Sequence, residues 1–456
     1  MRWSAGRRDP AVRRRRSRAV AASAPAPPAT ALALPGQRYR HRLANGLDVL
    51  LVEIPGSAIV STTLWFRAGA GDEAPAHAGV AHFLEHMMFK GSPRYGPGQI
   101  DRRTQALGGS NNAFTSHDAT VYYFKFAARV WREALAIEAD RMAALTLDPR
   151  EVDSERQVIL EEVAMYESDP WDALDQAVST ALFGEHPYAR PVHPYARPVL
   201  GTRETLLATG AAELAAFHRD FYRPDNAALV IAGAVGEDDL AAIESTLGAL
   251  AAGAAPRLPL PGWKAPAELL RVERRHGEVP RLLLALPAPP ADHPDHPLLR
   301  VLATALADGR TSRLRHDLVE ERELCLFIDA DAEAARGPGT FGVEAELHEG
   351  VEPREVEERV LAHLRALAEA PLAEAELARA RTALLADWVF GNEQAHQQAL
   401  TLGFGVALFE ERHAERNLAA ALGASNEDLR AAAQRWLVPE RGVVGWALPA
   451  KKRRRG

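Results

Sequence analysis

Three observations predict an α+β fold made of two homologous halves for this 456-residue chain. Short β-rich runs bounded by turn residues are mixed with amphipathic helical segments, without the strict strand–helix alternation of a doubly wound sheet. A stretch rich in Ala, Gly and Pro, residues 250–268, breaks the chain near its middle. Beyond it the order of strand-like and helix-like segments begins again. The predicted organisation is a tail at 1–36, a first domain at 37–249, a linker at 250–268, a second domain at 269–450 and a basic tail at 451–456.

In the first half, "YRHRLANGLDVLLVEI" reads as two strands around the Asn45-Gly46 turn. "AIVSTTLWFRAGA" is a β-rich run, and "SNNAFTSHDATVYYFKFA" is a strand pair that alternates through Tyr122, Phe124 and Phe126. "VWREALAIEADRMAAL" is an amphipathic helix. A second helix is opened by Asp148-Pro149 and closed by Asp169-Pro170, and "ALVIAGAV" is a short buried strand. After the linker come a strand at "RLLLALPAP", helical segments at "HPLLRVLATALADG" and "SRLRHDLVEER", and strands at "LCLFIDADAE" and "FGVEAEL". Long Ala/Glu/Leu/Arg helices then run from Glu352 to Leu385. A tandem copy of "HPYARPV" at 186–192 and 193–199 is too short for a solenoid repeat and reads as a loop lengthened by one unit.

Composition narrows the chemistry. No apolar run is long enough to span a membrane as a helix. Cys325 is the sole cysteine, which excludes an internal disulfide and a cysteine-based zinc site, leaving histidine and carboxylate for any metal. Residues 1–36 carry eight arginines and one aspartate, and the last six residues carry five basic groups, so the total of −7 leaves about −19 between them. An acidic body argues against nucleic acid as a partner and favours cationic peptides. The first 36 residues combine a basic start with a short, Pro-interrupted apolar stretch, a poor secretory signal. A cytoplasmic or periplasmic location in a bacterium is expected ahead of a mitochondrial matrix.

The chemistry-bearing motif is His82-Phe83-Leu84-Glu85-His86. On a helix, residues four apart share a face, so both imidazoles reach one metal ion. Glu85 follows His82 by about one turn and is placed to act as a base on water rather than as a third ligand. The order is inverted relative to His-Glu-x-x-His. Further along, Glu155 and Glu162 lie two helical turns apart on one face, and Glu161 is rotated away by about 100°. One of the in-phase carboxylates can complete the metal site while the other orients a ligand.

Taken together, "HFLEHMMFKGS", "GGSNNAFTSHDATVYY", "ERQVILEE" and "HPYARPVLGT" resemble the pitrilysin/insulinase family of zinc metallopeptidases. The similarity is to the short-chain branch containing mitochondrial processing peptidase and its bacterial relatives. It runs from about Tyr39 to Leu437, more specific in the first half. The resemblance implies one Zn²⁺ per chain held by His82, His86 and Glu162, Glu85 as general base and Glu155 as the carboxylate behind a ligand. It implies a chain shaped as half of a clam-like chamber and an edge strand at Asn112, Ala113, Phe114 and Thr115 to which extended peptide substrate adds.

One departure matters. Active members also use an arginine and a tyrosine, seven apart, from the second half, where this chain reads "LVEERELCLFI" with Val319 and Leu326. Neither side chain donates a hydrogen bond. In the short-chain branch some members are heterodimers in which a homologous partner supplies that pair. This chain is therefore expected to be the metal-bearing subunit of a heterodimer, with a homodimer as the variant arrangement. A non-catalytic assembly subunit is the competing reading.

Overall fold

The computed structural model describes residues 32–184, 193–256 and 259–449. The first half contributes β1 (Gln37–Arg42), β2 (Asp48–Glu53), β3 (Ile59–Phe66), β4 (Ser110–Thr115), β5 (Thr120–Ala127) and β6 (Ala227–Gly233). They form one sheet in the order β1-β2-β6-β3-β5-β4, antiparallel except for the β2/β6 pair. The second half contributes β7 (Leu270–Arg275), β8 (Arg281–Ala288), β9 (Cys325–Ala332), β10 (Gly339–Leu347) and β11 (Val443–Leu448). Their order is β7-β11-β8-β10-β9, again with one parallel pair, β7/β11. Without β1, the two sheets match strand for strand in order and direction, so the repeated pattern in the sequence is a repeated topology.

The helices repeat as well. In the first half α1 (Val80–Met87) and α2 (Gln99–Ala106) lie between β3 and β4. After β5 come α3 (Glu133–Ala143), α4 (Pro149–Ser168) and α5 (Pro170–Phe183). Asp148 and Asp169, each followed by proline, accept first-turn N–H bonds at the starts of α4 and α5. In the second half His296–Ala307 occupies the place of α1 in chain order, and Pro353–Glu369, Glu374–Gly391 and Ala395–Leu408 follow β10 as α3, α4 and α5 follow β5.

What joins the halves is an exchange of helices. Leu50, Trp65, Val121 and Val230 on one face of the first sheet pack against Ala399, Leu402 and Val406 of the helix Ala395–Leu408, which belongs to the second half. Reciprocally, Leu174, Val178 and Leu182 of α5 pack on Ala285, Val443 and Ala447 of the second sheet. The opposite face of each sheet buries a core of its own. Burial on both faces explains why β2 and β6 read as unbroken apolar runs rather than alternating ones.

Ordered packing begins before residue 37, the expected start of the first domain. Leu32 and Leu34 are buried, and the Leu32 carbonyl accepts from the Trp388 indole at 3.2 Å. The expected tail thus ends in a docked segment, while its basic portion lies outside the described residues. Residues 250–256 and 259–268 carry no helix or strand, yet Trp263 docks through its indole N–H on the Leu182 carbonyl at 3.1 Å. Among the described residues no helix is long and apolar enough to cross a membrane.

The exchange makes a specific demand at Gly403, where a Cβ would lie 2.1 Å from Trp65 Nε1. For Gly403→Ala, overpacking of about 1–3 kcal/mol outweighs the gain of about 1 kcal/mol in helix propensity. We expect a net loss of up to about 2 kcal/mol, with both halves melting in one calorimetric transition. Two transitions, only one of them shifted, would contradict the interlocked arrangement.

Candidate metal centre

The helix α1 is short and nearly all buried, with His82 6 % exposed and Glu85 9 % exposed. Eight residues make a marginal helix in isolation, so its geometry comes from packing and from its end. Phe83 and Leu84 enter the core of the first half, and the Arg156 guanidinium of α4 lies 5.7 Å over the Phe83 ring. At the start of the helix, Gly79 has φ 93°, and the buried Glu73 carboxylate accepts from the N–H groups of Gly79 (2.9 Å) and Ala81 (2.8 Å). Burial pushes Glu73 up to about 8, against the two N–H bonds and the nearby Arg197, which favour its charged form.

One turn apart, the imidazoles of His82 and His86 bring their Nε2 atoms to 3.3 Å. From α4, Glu162 Oε2 lies 3.7 Å from His82 Nε2 and 3.5 Å from His86 Nε2. Zinc bonds of about 2.0–2.1 Å in a tetrahedron require ligand atoms about 3.3–3.4 Å apart, so the triangle has nearly the size of one tetrahedral face. Among the described residues these three form the one grouping of histidine, cysteine and carboxylate able to hold a metal ion. The donor set, two nitrogens and a carboxylate oxygen, suits zinc with a fourth position open.

Glu155, one turn and then another before Glu162, accepts from His86 Nδ1 at 2.8 Å and pairs with Lys90 Nζ at 2.5 Å. That bond fixes the proton on Nδ1 and turns Nε2 towards Glu162 and His82. Burial alone would lower His86, but its bonds to Glu155 and Glu162 prevail and raise it to about 9. His82, buried and facing a charged His86, falls to about 4. Glu162 is held below the ordinary carboxylate range, chiefly by its His86 bond. For Glu155, burial is outweighed by hydrogen bonds from His86 and Lys90, and its pKa is lowered too. Glu85 moves the other way: burial raises it, with the Thr115 bond opposing. A carboxylate tuned upward beside neighbours tuned downward has the profile of an acid–base group. Glu161, rotated away from that face, is exposed.

Asn112, Ala113, Phe114 and Thr115 lie on β4, which among the described residues pairs only with β5 and has no strand on its other edge. Their side chains divide. Ala113 packs on the core of the first half. Phe114, 40 % exposed, meets Trp65 edge-on at 6.1 Å and helps line a cavity of about 450 Å³ between the halves. The Asn112 side chain is taken by the adjacent Ala113 N–H. Thr115 reaches the base, its hydroxyl donating to Glu85 Oε2 at 2.6 Å.

Val319 sits in a π-helical turn, His316–Glu321, half-buried against the core of the second half, and Leu326 is 48 % exposed on β9. His117 bonds the Arg197 carbonyl, and His296 the Glu333 carbonyl, so these histidines serve the loops. No local sequence pattern marks Glu73 or Arg197. The same holds for Arg141, fully buried, which pairs with Glu138 and lies 4.3 Å over the Tyr122 ring. A guanidinium so deep requires that paired carboxylate.

Residues 48–194 match the family described as insulinase (peptidase family M16), and residues 210–384 match the M16 inactive domain. An uncharacterized zinc protease of Streptomyces coelicolor is 30 % identical over 420 residues, covering 89 % of each chain. The chain belongs to peptidase family M16. The beta subunit of mitochondrial-processing peptidase from Blastocladiella emersonii is 33 % identical over 206 residues, 45 % of this M16 chain and 43 % of that one. A protease from Helicobacter pylori has the same fold, with a TM-score of 0.84 at 21 % identity over 91 % of this chain and all of that one. The M16 inactive-domain match falls mainly on the half without the histidine pair.

Proton competition gives a direct check. Holding His86 up to about 9 means that it carries a proton at pH 7, which a metal must displace, whereas His82 at about 4 is already neutral. Zinc titrated calorimetrically in buffers of differing ionisation enthalpy should release about one proton per ion at pH 7, and affinity should weaken about tenfold per pH unit below 9. Zinc binding with no proton release would contradict this charge pattern.

Proposed function

We propose that this chain is the metal-bearing subunit of a zinc endopeptidase acting on extended peptides. The observation that carries the reading is the His82, His86 and Glu162 triangle with the upward-tuned Glu85 beside it. Bound zinc, held by those three residues, supplies Lewis-acid polarisation and makes a water more acidic. Glu85 removes a proton from the attacking water as its oxygen adds to the scissile carbonyl carbon. It then delivers that proton to the leaving nitrogen as the C–N bond breaks, returning to its starting charge. Glu155 keeps His86 in the required tautomer, and Thr115 holds one oxygen of Glu85. The free edge of β4 offers backbone N–H and C=O groups to a peptide in extended form.

Val319 and Leu326 support a division of labour in which a homologous partner supplies donors for the developing oxyanion. The relative named as a peptidase subunit is consistent with such pairing. An assembly role without catalysis would leave the histidine–carboxylate set without a purpose.

We expect the purified chain to cleave unstructured peptide poorly and a homologous partner to raise the rate. Glu85→Gln should keep bound zinc but lose about 10²–10⁴-fold in kcat in that mixture. An isolated chain as active as the mixture would contradict the division of labour, and an active Glu85→Gln would remove Glu85 as the base.

A further inference from the structure

The heptapeptide copy at 193–199 is built into the scaffold around the start of α1. His193 and Tyr195 are buried. The Tyr195 hydroxyl donates to Asp118 Oδ1 at 2.6 Å and accepts from the Gly337 N–H of the second half at 3.0 Å. Asp118 also accepts from the Arg336 N–H at 2.7 Å. Two residues on from Tyr195, Arg197 Nη2 donates to the carbonyls of Ala70 (3.3 Å) and Glu73 (3.2 Å), and its own carbonyl bonds His117 Nε2 at 3.0 Å. Glu73 is the residue whose carboxylate holds the first N–H groups of α1. Directly after the copy, Leu200 and Gly201 press on the start of the same helix. A Cβ on Gly79 would lie 2.5 Å from the Leu200 carbonyl and 2.8 Å from Gly201 Cα. Residues 193–201 therefore touch the entry of α1 at two independent places and the second half at a third.

We propose that Arg197 and Glu73 are positioning residues for the metal ligands, and that residues 193–201 are a strap that sets the entry of α1. The proposal rests on the zinc reading of His82, His86 and Glu162. Only one of the three ligands, Glu162, lies on the long helix α4, whereas two lie on an eight-residue helix that cannot hold its own direction. Arg197 fixes the Glu73 main chain, the Glu73 side chain fixes the first turn, and His82 is the next residue after Ala81. A rotation of the first turn would move His82 Nε2 off the triangle and leave His86, pinned by Glu155, where it is.

The test measures zinc affinity of the full-length chain by competition with a chromophoric chelator, beside the melting temperature of the zinc-free protein. Because the preceding heptapeptide is identical, Arg197→Gln is made together with Arg190→Gln. We expect a folded protein that binds zinc about 10–100-fold more weakly, with part of the loss restored by Arg197→Lys in the Arg190→Gln background, since an ammonium can donate to the same two carbonyls. A purely structural contact would lower the melting temperature and leave zinc affinity alone, and that result would overturn the proposal. If the arginine variant fails to fold, Glu73→Gln decides. Its amide keeps one acceptor, so about a tenfold loss of affinity is expected and unchanged affinity overturns the proposal. Tight zinc binding by the parent with unchanged variants rejects the strap alone, whereas no zinc binding by the parent rejects the zinc reading and the strap with it.

Discussion

The hydrogen bond between His86 Nδ1 and Glu155 is the contact on which the rest of the candidate centre depends. It joins the two helices that carry every proposed ligand, and it is made between residues 69 positions apart. With the Nδ1 proton committed to Glu155, Nε2 is the nitrogen presented to the triangle. Glu162 then falls into place because it lies two turns further on the same face of α4. Lys90 on the far side of Glu155 keeps that carboxylate charged, so the acceptor does not compete for the proton it receives. Placing three carboxylates and two imidazoles in a half-buried cluster is costly unless their charges are matched. Here His86 carries the compensating proton, which a bound cation would replace.

The duplicated topology shows how much of the scaffold is independent of that chemistry. The helix His296–Ala307 stands where α1 stands in the first half, but "HPLLRVLATALA" buries leucine, valine and alanine along its length. Its one histidine bonds a loop carbonyl instead of facing a partner imidazole. The two halves are thus alike in order and direction of strands and different in what the helix after the second equivalent strand presents. Their exchange of helices, α5 onto one sheet and Ala395–Leu408 onto the other, makes the half without the histidine pair a necessary part of the fold.

Local patterns carried most of what was legible in the sequence. The Asn45-Gly46 hairpin, the Asp148-Pro149 helix start and the alternation in β5 each depend on neighbours a few residues apart, and each is found where expected. The spacings i,i+4 and i,i+7 likewise put His82 with His86, and Glu155 with Glu162, on shared faces, whereas the approach of the two helices, between residues 69 apart, was legible only through the family resemblance. The exchanged helices were not legible. An apolar stripe says that a helix buries a face but does not say against which sheet. Strands β7 and β11 were missed for a related reason. β7, "LRVERR", is mostly exposed and charged, and its parallel pairing with β11 spans the whole half. Thr115 was singled out for the peptide edge; the bond of its side chain to Glu85 was not legible, because it is set by the packing of β4 on α1.

Zinc-edge X-ray absorption on the reconstituted chain decides whether His82, His86 and Glu162 hold the ion, because it counts and identifies the atoms around it. We expect four-coordinate zinc with two imidazole nitrogens, one carboxylate oxygen and one further light atom, and loss of one imidazole signature in His82→Ala. A sulfur neighbour, a six-coordinate shell of oxygens, or a spectrum unchanged by His82→Ala would contradict it.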